Sequence, residues 1–145
     1  MSEIKDILTK YKTIAMVGVS KDTKKTSTIV MKYMKNYGFK VFPVNPSAKG
    51  EKILGEEVYA KITDIKKNVD IVDVFRPSKE VYGIAEEAVK IGAKVLWLQF
   101  GIQNTEAKKI SNSAGITCIM NKCIKQEYQR LFLNMKPVFP VLLPD

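Results

Sequence analysis

An apolar run that ends in a single glycine and opens into a lysine-rich polar loop constrains this chain more than any other feature. Residues 13–20 read Thr-Ile-Ala-Met-Val-Gly-Val-Ser, followed by Lys21, Lys24 and Lys25. The pattern predicts a buried strand over 13–18, a tight turn at Gly18, a polar loop through Lys25 and a helix from Ser27. A strand that turns at glycine into a helix aims backbone N–H groups at one point, and the helix dipole adds partial positive charge there. An anion at that point gains roughly 0.3–1 kcal/mol, up to about 2 when partly buried. The stretch therefore reads as a phosphate-binding crevice, with the rest of the chain as its walls.

The remaining sequence repeats the strand–helix alternation. Residues 2–11 form a short amphipathic helix with Ser2 as its cap and Ile4, Ile7, Leu8 and Tyr11 on one face, expected to pack on the sheet edge. Helix 27–37 stops at Gly38, and strand 39–44 stops at Asn45-Pro46. The loop over 47–59 carries a short strand at Val58-Tyr59, and Thr63 or Asp64 starts a brief helix. Strand 70–75, helix 79–91 closed by Gly92, strand 95–99, helix 105–114 closed by Gly115, strand 116–120 and helix 124–133 follow. A tail over 134–145 with Pro137, Pro140 and Pro144 reads as irregular. This is the pattern of one α/β domain over 1–145, with a core over about 5–130. It is Rossmann-like and doubly wound: a mainly parallel sheet of about five strands with helices on both faces.

Composition removes several functions. The chain of 145 residues is 46% hydrophobic and 27% charged, as expected of one soluble domain with a sizeable core. It has no histidine, which excludes the histidine-based triads and most zinc sites. Its net charge of +9 comes almost entirely from lysines spread along the chain, without the arginine- and aromatic-rich cluster of a nucleic-acid module. That charge still favours a multiply phosphorylated small molecule. Cys118 and Cys123 have neither metal-site nor disulfide-framework spacing and fit a reducing cytosol. No signal-peptide core or membrane-length apolar run is expected, so the protein reads as cytoplasmic.

In open α/β sheets ligands sit beyond the carboxyl ends of the strands. Five such ends are expected to converge: Gly18-Val19-Ser20, Asn45-Pro46, Phe75-Arg76, Gln99-Phe100-Gly101 and Asn121. The first departs from the dinucleotide fingerprint, because Ser20 and Thr23 stand where two of three glycines belong. Ser20, Thr26 and Ser27 can still donate to a phosphate that Lys21, Lys24 and Lys25 neutralise. At the second strand's end an NAD site needs a carboxylate; Asn45 instead tolerates a nearby phosphate, with Lys49 and Lys52 behind it. Asn45-Pro46 also reads simply as a turn. Arg76 either forks onto phosphate or carboxyl oxygens of a ligand or pairs with Asp73 or Glu80. Trp97 reads as core, Gln99 as too polar for core and available to an amide chain, and Gly101 as a close backbone approach. Asn121 caps the final helix or faces the ligand. Cys118 reads as inert, and Cys123 sits where a helix start could stabilise a thiolate, without a base nearby.

These motifs together resemble the small bacterial and archaeal CoA-binding proteins of the YccU type. Those proteins are similar to the N-terminal CoA-binding domain of the succinyl-CoA synthetase α subunit. The resemblance rests on Gly18-Val19-Ser20 with Ser27, Val44-Asn45-Pro46, Asp73-Val74-Phe75-Arg76 and Trp97-Leu98-Gln99-Phe100-Gly101, and covers about residues 5–130. It implies a Rossmann-like domain with coenzyme A across the strand ends. Contacts carry over onto Val19, Ser20, Lys21 and Asp22, onto Lys49, and onto Leu98, Gln99 and Phe100. Asn45-Pro46 and Phe75-Arg76 stand where the coenzyme passes. The synthetase's catalytic histidine lies outside this domain, so the resemblance implies a binding, carrier or sensor module without catalytic residues. It leaves room for a homo-oligomer or a partner protein, and none for a membrane. An NADP-dependent oxidoreductase, with Lys49 on the 2′-phosphate, and a basic nucleic-acid-binding protein are the alternatives.

Overall fold

Burial on both faces of the predicted strands is what organises the molecule. The computed structural model describes residues 3–136. In chain order its elements are α1 (Glu3–Lys10), β1 (Thr13–Val17), α2 (Thr26–Asn36), β2 (Lys40–Val44), β3 (Lys52–Ile53), β4 (Glu56–Glu57), β5 (Ile71–Val74), α3 (Val81–Ile91), β6 (Val95–Leu98), α4 (Thr105–Ser113), β7 (Thr117–Ile119) and α5 (Ile124–Phe132). Short 3-10 turns occupy Pro46–Ala48, Ile62–Asp64 and Ser78–Glu80. Five strands form one parallel sheet in the order β2-β1-β5-β6-β7.

Alternate residues of each strand feed two separate cores. Ile14, Met16, Ile71 and Trp97 pack against α1, α2 and α5, whereas Ala15, Val17, Val72, Leu96 and Leu98 pack against α3 and α4. β5 and β6 are buried throughout, the condition that lets a parallel strand read as continuously apolar. Pro43, which cannot donate to a ladder, sits in β2 at the sheet edge. Gly38, Gly92 and Gly115 all take left-handed backbone just past α2, α3 and α4. The doubly wound α/β expectation holds.

Two local expectations change. α1 covers a sheet face rather than an edge: Ile4, Ile7 and Leu8 join the cluster that holds Met16 of the central strand and Ile124 of α5. The loop after β2 is more structured than expected. β3 and β4 pair antiparallel around Leu54-Gly55, both at positive φ as a type I′ turn requires. Tyr59 then bridges back to Val44 in parallel. Among the described residues no helix is long and apolar enough to cross a membrane. The Ser2 cap and Pro137, Pro140 and Pro144 of the tail lie outside the described residues.

Candidate functional site

The strand order sends the chain to opposite sides of β1, toward β2 first and β5 next. A crevice opens at such a switch point. Hydrogen bonds run across the carboxyl rim: Gly18 N–H to Val44 O at 2.8 Å, Phe75 N–H to Val17 O at 2.8 Å, and Gln99 N–H to Val74 O at 3.3 Å. Gly18 has φ +94°, and a Cβ built on it would lie 2.8 Å from Arg76 Cδ and 3.0 Å from Phe75 O. The glycine is therefore required both by its backbone angle and by the neighbouring strand end, independently of any ligand.

The loop after β1 spends several of its polar groups on its own shape. Ser20 N–H donates to Ser27 Oγ at 3.0 Å, and Thr28 Oγ1 donates to Ser20 O at 2.6 Å. Asp22 N–H donates to Ser20 Oγ, and Lys24 N–H to Asp22 Oδ1. Ser27 is fully buried and acts as a loop brace, a role that its placement at the helix start did not reveal. Lys25 is the N-cap of α2 and makes no side-chain cap bond, and the first turn holds no acidic residue. The dipole's positive end is thus not offset by a carboxylate of its own first turn. Lys21 pairs with Glu51 at 3.2 Å, an exposed contact that water screens. Lys49 is exposed just after the Pro46–Ala48 turn. Asn45 joins two loops: its Nδ2 donates to Val19 O at 2.9 Å, and its Oδ1 accepts from Ser47 N–H at 2.9 Å. Val19 itself is buried.

At this switch point lies a cavity of about 410 Å³ bounded by Gly18, Asn45, Pro46 and Arg76. Four of the expected residues, drawn from three strand ends, therefore share one hollow. Arg76 forks onto Glu80, with Nε at 3.0 Å from Oε1 and Nη2 at 2.8 Å from Oε2. That bond holds the Glu80 carboxyl below its usual range and raises the guanidinium's. Glu80, not Asp73, is the partner, because Asp73 points into the core and is fully buried. Burial alone pushes the Asp73 carboxyl well up, and neither of its oxygens has a hydrogen-bond partner among the described residues.

The opposite wall was not foreseen. Lys61 and Ile62 from the β2–β5 crossover, and Ile84 and Glu87 from α3, complete the cavity. Ile84 and Glu87, three apart on one helix, share a face, but nothing local shows that the crossover folds against that face.

The expected residues at the ends of β6 and β7 do not line this cavity. Gln99 is only 2% exposed and its Oε1 accepts from Ile124 N–H at 3.2 Å, so a polar residue is at home in the core as the anchor of α5. Leu98 and Phe75 are buried on opposite faces, and Phe100 is half-buried. Asn121, at φ +60°, accepts from Gly101 N–H through Oδ1 at 2.7 Å and so braces the two loops, rather than capping α5. Cys123 is the N-cap of α5, but burial pushes its thiol up despite nearby N–H groups; burial raises Cys118 to about 11. Neither has the low pKa of an activated nucleophile. Among the described residues no group of three His, Cys, Asp or Glu side chains could hold a metal.

The sequence profile described as CoA binding domain matches residues 12–129, which include every expected site residue. This chain belongs to the CoA-binding domain family. It is 40% identical over 124 residues to the uncharacterized protein YneT of Bacillus subtilis (strain 168), an alignment covering 86% of this chain and 90% of that one. A solved structure described as a hypothetical protein from Pyrococcus horikoshii OT3 superposes with a TM-score of 0.85 at 40% identity, covering 89% of each chain. The II subunit alpha of an ADP-forming acetate–CoA ligase from Pyrococcus furiosus is 30% identical over 122 residues, 77% of this chain but only 26% of that subunit. The CoA-binding domain therefore occurs among relatives both as a chain of this size and as part of a longer ligase subunit. The resemblance carried by the strand-end motifs holds at the level of the family.

Proposed function

We propose that this chain binds coenzyme A, or an acyl-CoA, at the carboxyl rim of its sheet and performs no chemistry on it. The observation that carries this reading is the single cavity at the switch point bounded by Gly18, Asn45 and Arg76, with Asn45 tied directly to the lysine-bearing loop. Val17, Val44, Pro46 and Ile62 give that cavity an apolar side suited to a base, and its volume lies within the usual size range of small-molecule sites. The start of α2, with Lys21, Lys24 and Lys25, would take the phosphates; each charged hydrogen bond contributes roughly 1.5–3 kcal/mol. Lys49 follows the Asn45-Pro46 turn and would meet the same charges. The half of the expected site at Gln99, Gly101 and Asn121 would then lie beneath the pantetheine arm rather than in the cavity. Arg76 and Glu80 form a closed ion pair, and Asp73 is sealed in the core, which removes these three groups from acid–base work in the slot. A reducing cytoplasm, with both cysteines as thiols, completes the reading.

Titration calorimetry with CoA, dephospho-CoA and NAD tests it. Binding is expected to be strongest for CoA, weaker for dephospho-CoA and weakest for NAD, and to decline with salt. Absence of heat with CoA, or preference for NAD, would refute the proposal.

A further inference from the structure

A second cavity, of about 480 Å³, lies between α2, the tip of the β3–β4 hairpin and the first turn of α5, and shares no lining residue with the switch-point cavity. Its charges are not balanced. Lys32 of α2 and Lys125 of α5 line it, and neither has an ion pair among the described residues. The other lining residues are neutral. In the switch-point cavity, by contrast, Arg76 and Lys61 face Glu80 and Glu87. Lys125 sits in the first turn of α5, where the helix dipole is already positive. The acidic residue of that turn, Glu127, is taken by Arg130 at 2.8 Å. Lys32 is exposed and Lys125 half-buried, so both remain within reach of a ligand. The body of the cavity is apolar: Ile29, Leu54 and the Tyr33 ring, which lies 5.4 Å from Lys125 Nζ. Leu54 stands at φ +50°, an angle leucine rarely adopts, and Lys35 Nζ holds its carbonyl at 2.7 Å. Backbone strain of this kind persists only where the surroundings hold it, and it clusters at ligand sites.

We propose that this cavity is a second binding site, separate from the CoA rim, for a small organic carboxylate with a short apolar chain. The carboxylate sits between Lys32 and Lys125, and the chain lies against Ile29, Leu54 and Tyr33. An ionised carboxylate only accepts hydrogen bonds, and it supplies the counter-charge that these two donors lack. Its chain takes Ile29, 36% exposed in the free protein, out of water. An anion without a chain gains only from the cations, and a neutral chain gains only from the apolar wall. The site stands whether or not CoA binds at the rim.

The test is titration of isotope-labelled protein with hexanoate, followed by amide NMR shifts, with acetate and hexanol as ligands that carry only the charge or only the chain. Hexanoate is expected to give saturable shifts at Ile29, Lys32, Leu54 and Lys125, and acetate and hexanol much weaker ones. The double variant Lys32→Gln with Lys125→Gln, first checked for an unchanged thermal transition, should bind hexanoate about fivefold more weakly or worse. Added salt should weaken binding to the unaltered protein in the same direction. No saturable shift at millimolar hexanoate, or shifts centred elsewhere, would overturn the proposal. So would acetate or hexanol binding as well as hexanoate, or an unchanged affinity in the double variant. Competition between CoA and hexanoate for the same shifts would merge this cavity with the rim and overturn the claim of a separate site. Failure of CoA to bind would refute the rim reading alone and leave this site standing.

Discussion

The buried carboxyl of Asp73 makes the stability of this fold depend on pH in a predictable direction. Asp73 lies in β5, in register between Met16 of β1 and Trp97 of β6, fully buried and without a hydrogen-bond partner among the described residues. Its folded pKa lies well above the usual carboxylate range because burial disfavours the charge. In the unfolded chain it titrates near about 3.9. Below that value both states hold the proton and the group adds no pH dependence. Above it the unfolded state releases the proton first, so stability falls by about 1.4 kcal/mol per pH unit until the folded pKa is passed. Each pH unit inside that window therefore removes a sizeable share of the roughly 5–15 kcal/mol typical of a domain. Glu56 and Glu80 have lowered folded pKa values and act in the opposite sense at acid pH; Glu87 acts in the same sense as Asp73. The comparison must therefore be a difference between proteins. Asp73→Asn keeps the shape and removes the charge. Urea unfolding followed by the buried Trp97, measured from pH 4 to 8, should show the variant gaining on the parent as pH rises. Parallel stability curves would refute the argument that Asp73 is held protonated by its surroundings.

Two further substitutions separate the roles of the strand ends. Gly18→Ala forces a left-handed angle on alanine and presses its Cβ against Arg76 and Phe75 O; it should cost about 1–3 kcal/mol in urea unfolding and weaken CoA binding in the same calorimetric assay. Gln99→Ala removes the acceptor for Ile124 N–H and leaves that donor buried, which should cost about 1–3 kcal/mol in the same unfolding assay. Its CoA affinity should change far less than that of Gly18→Ala. An equal loss of affinity would place Gln99 against the ligand.

The alternation of strands and helices was legible because its signals are local. Apolar runs such as 14–17 and 95–98, and glycines 38, 92 and 115 at helix ends, report on a few neighbouring residues only. The same signals placed Gly18, Asn45 and Arg76 at strand ends and, through the topology that such alternation allows, at one rim. They could not show that Leu54 takes a positive φ beside Gly55 to close a hairpin, since neither residue pair nor strand length matches the usual turn signature. They also could not show that Gln99 turns inward.

Sequence alone determined that this chain builds a doubly wound sheet with a polar, lysine-rich rim, because strand and helix periodicity and glycine stops act over a few residues. Tertiary structure decided the choices between equally polar partners. Arg76 takes Glu80 because Asp73 faces the core on β5, and Ser27 braces Ser20 because the loop folds back over the start of α2. It also decided that Lys61, Ile84 and Glu87 wall the cavity. That wall joins segments more than twenty residues apart, and only packing across the sheet face brings them to one cavity.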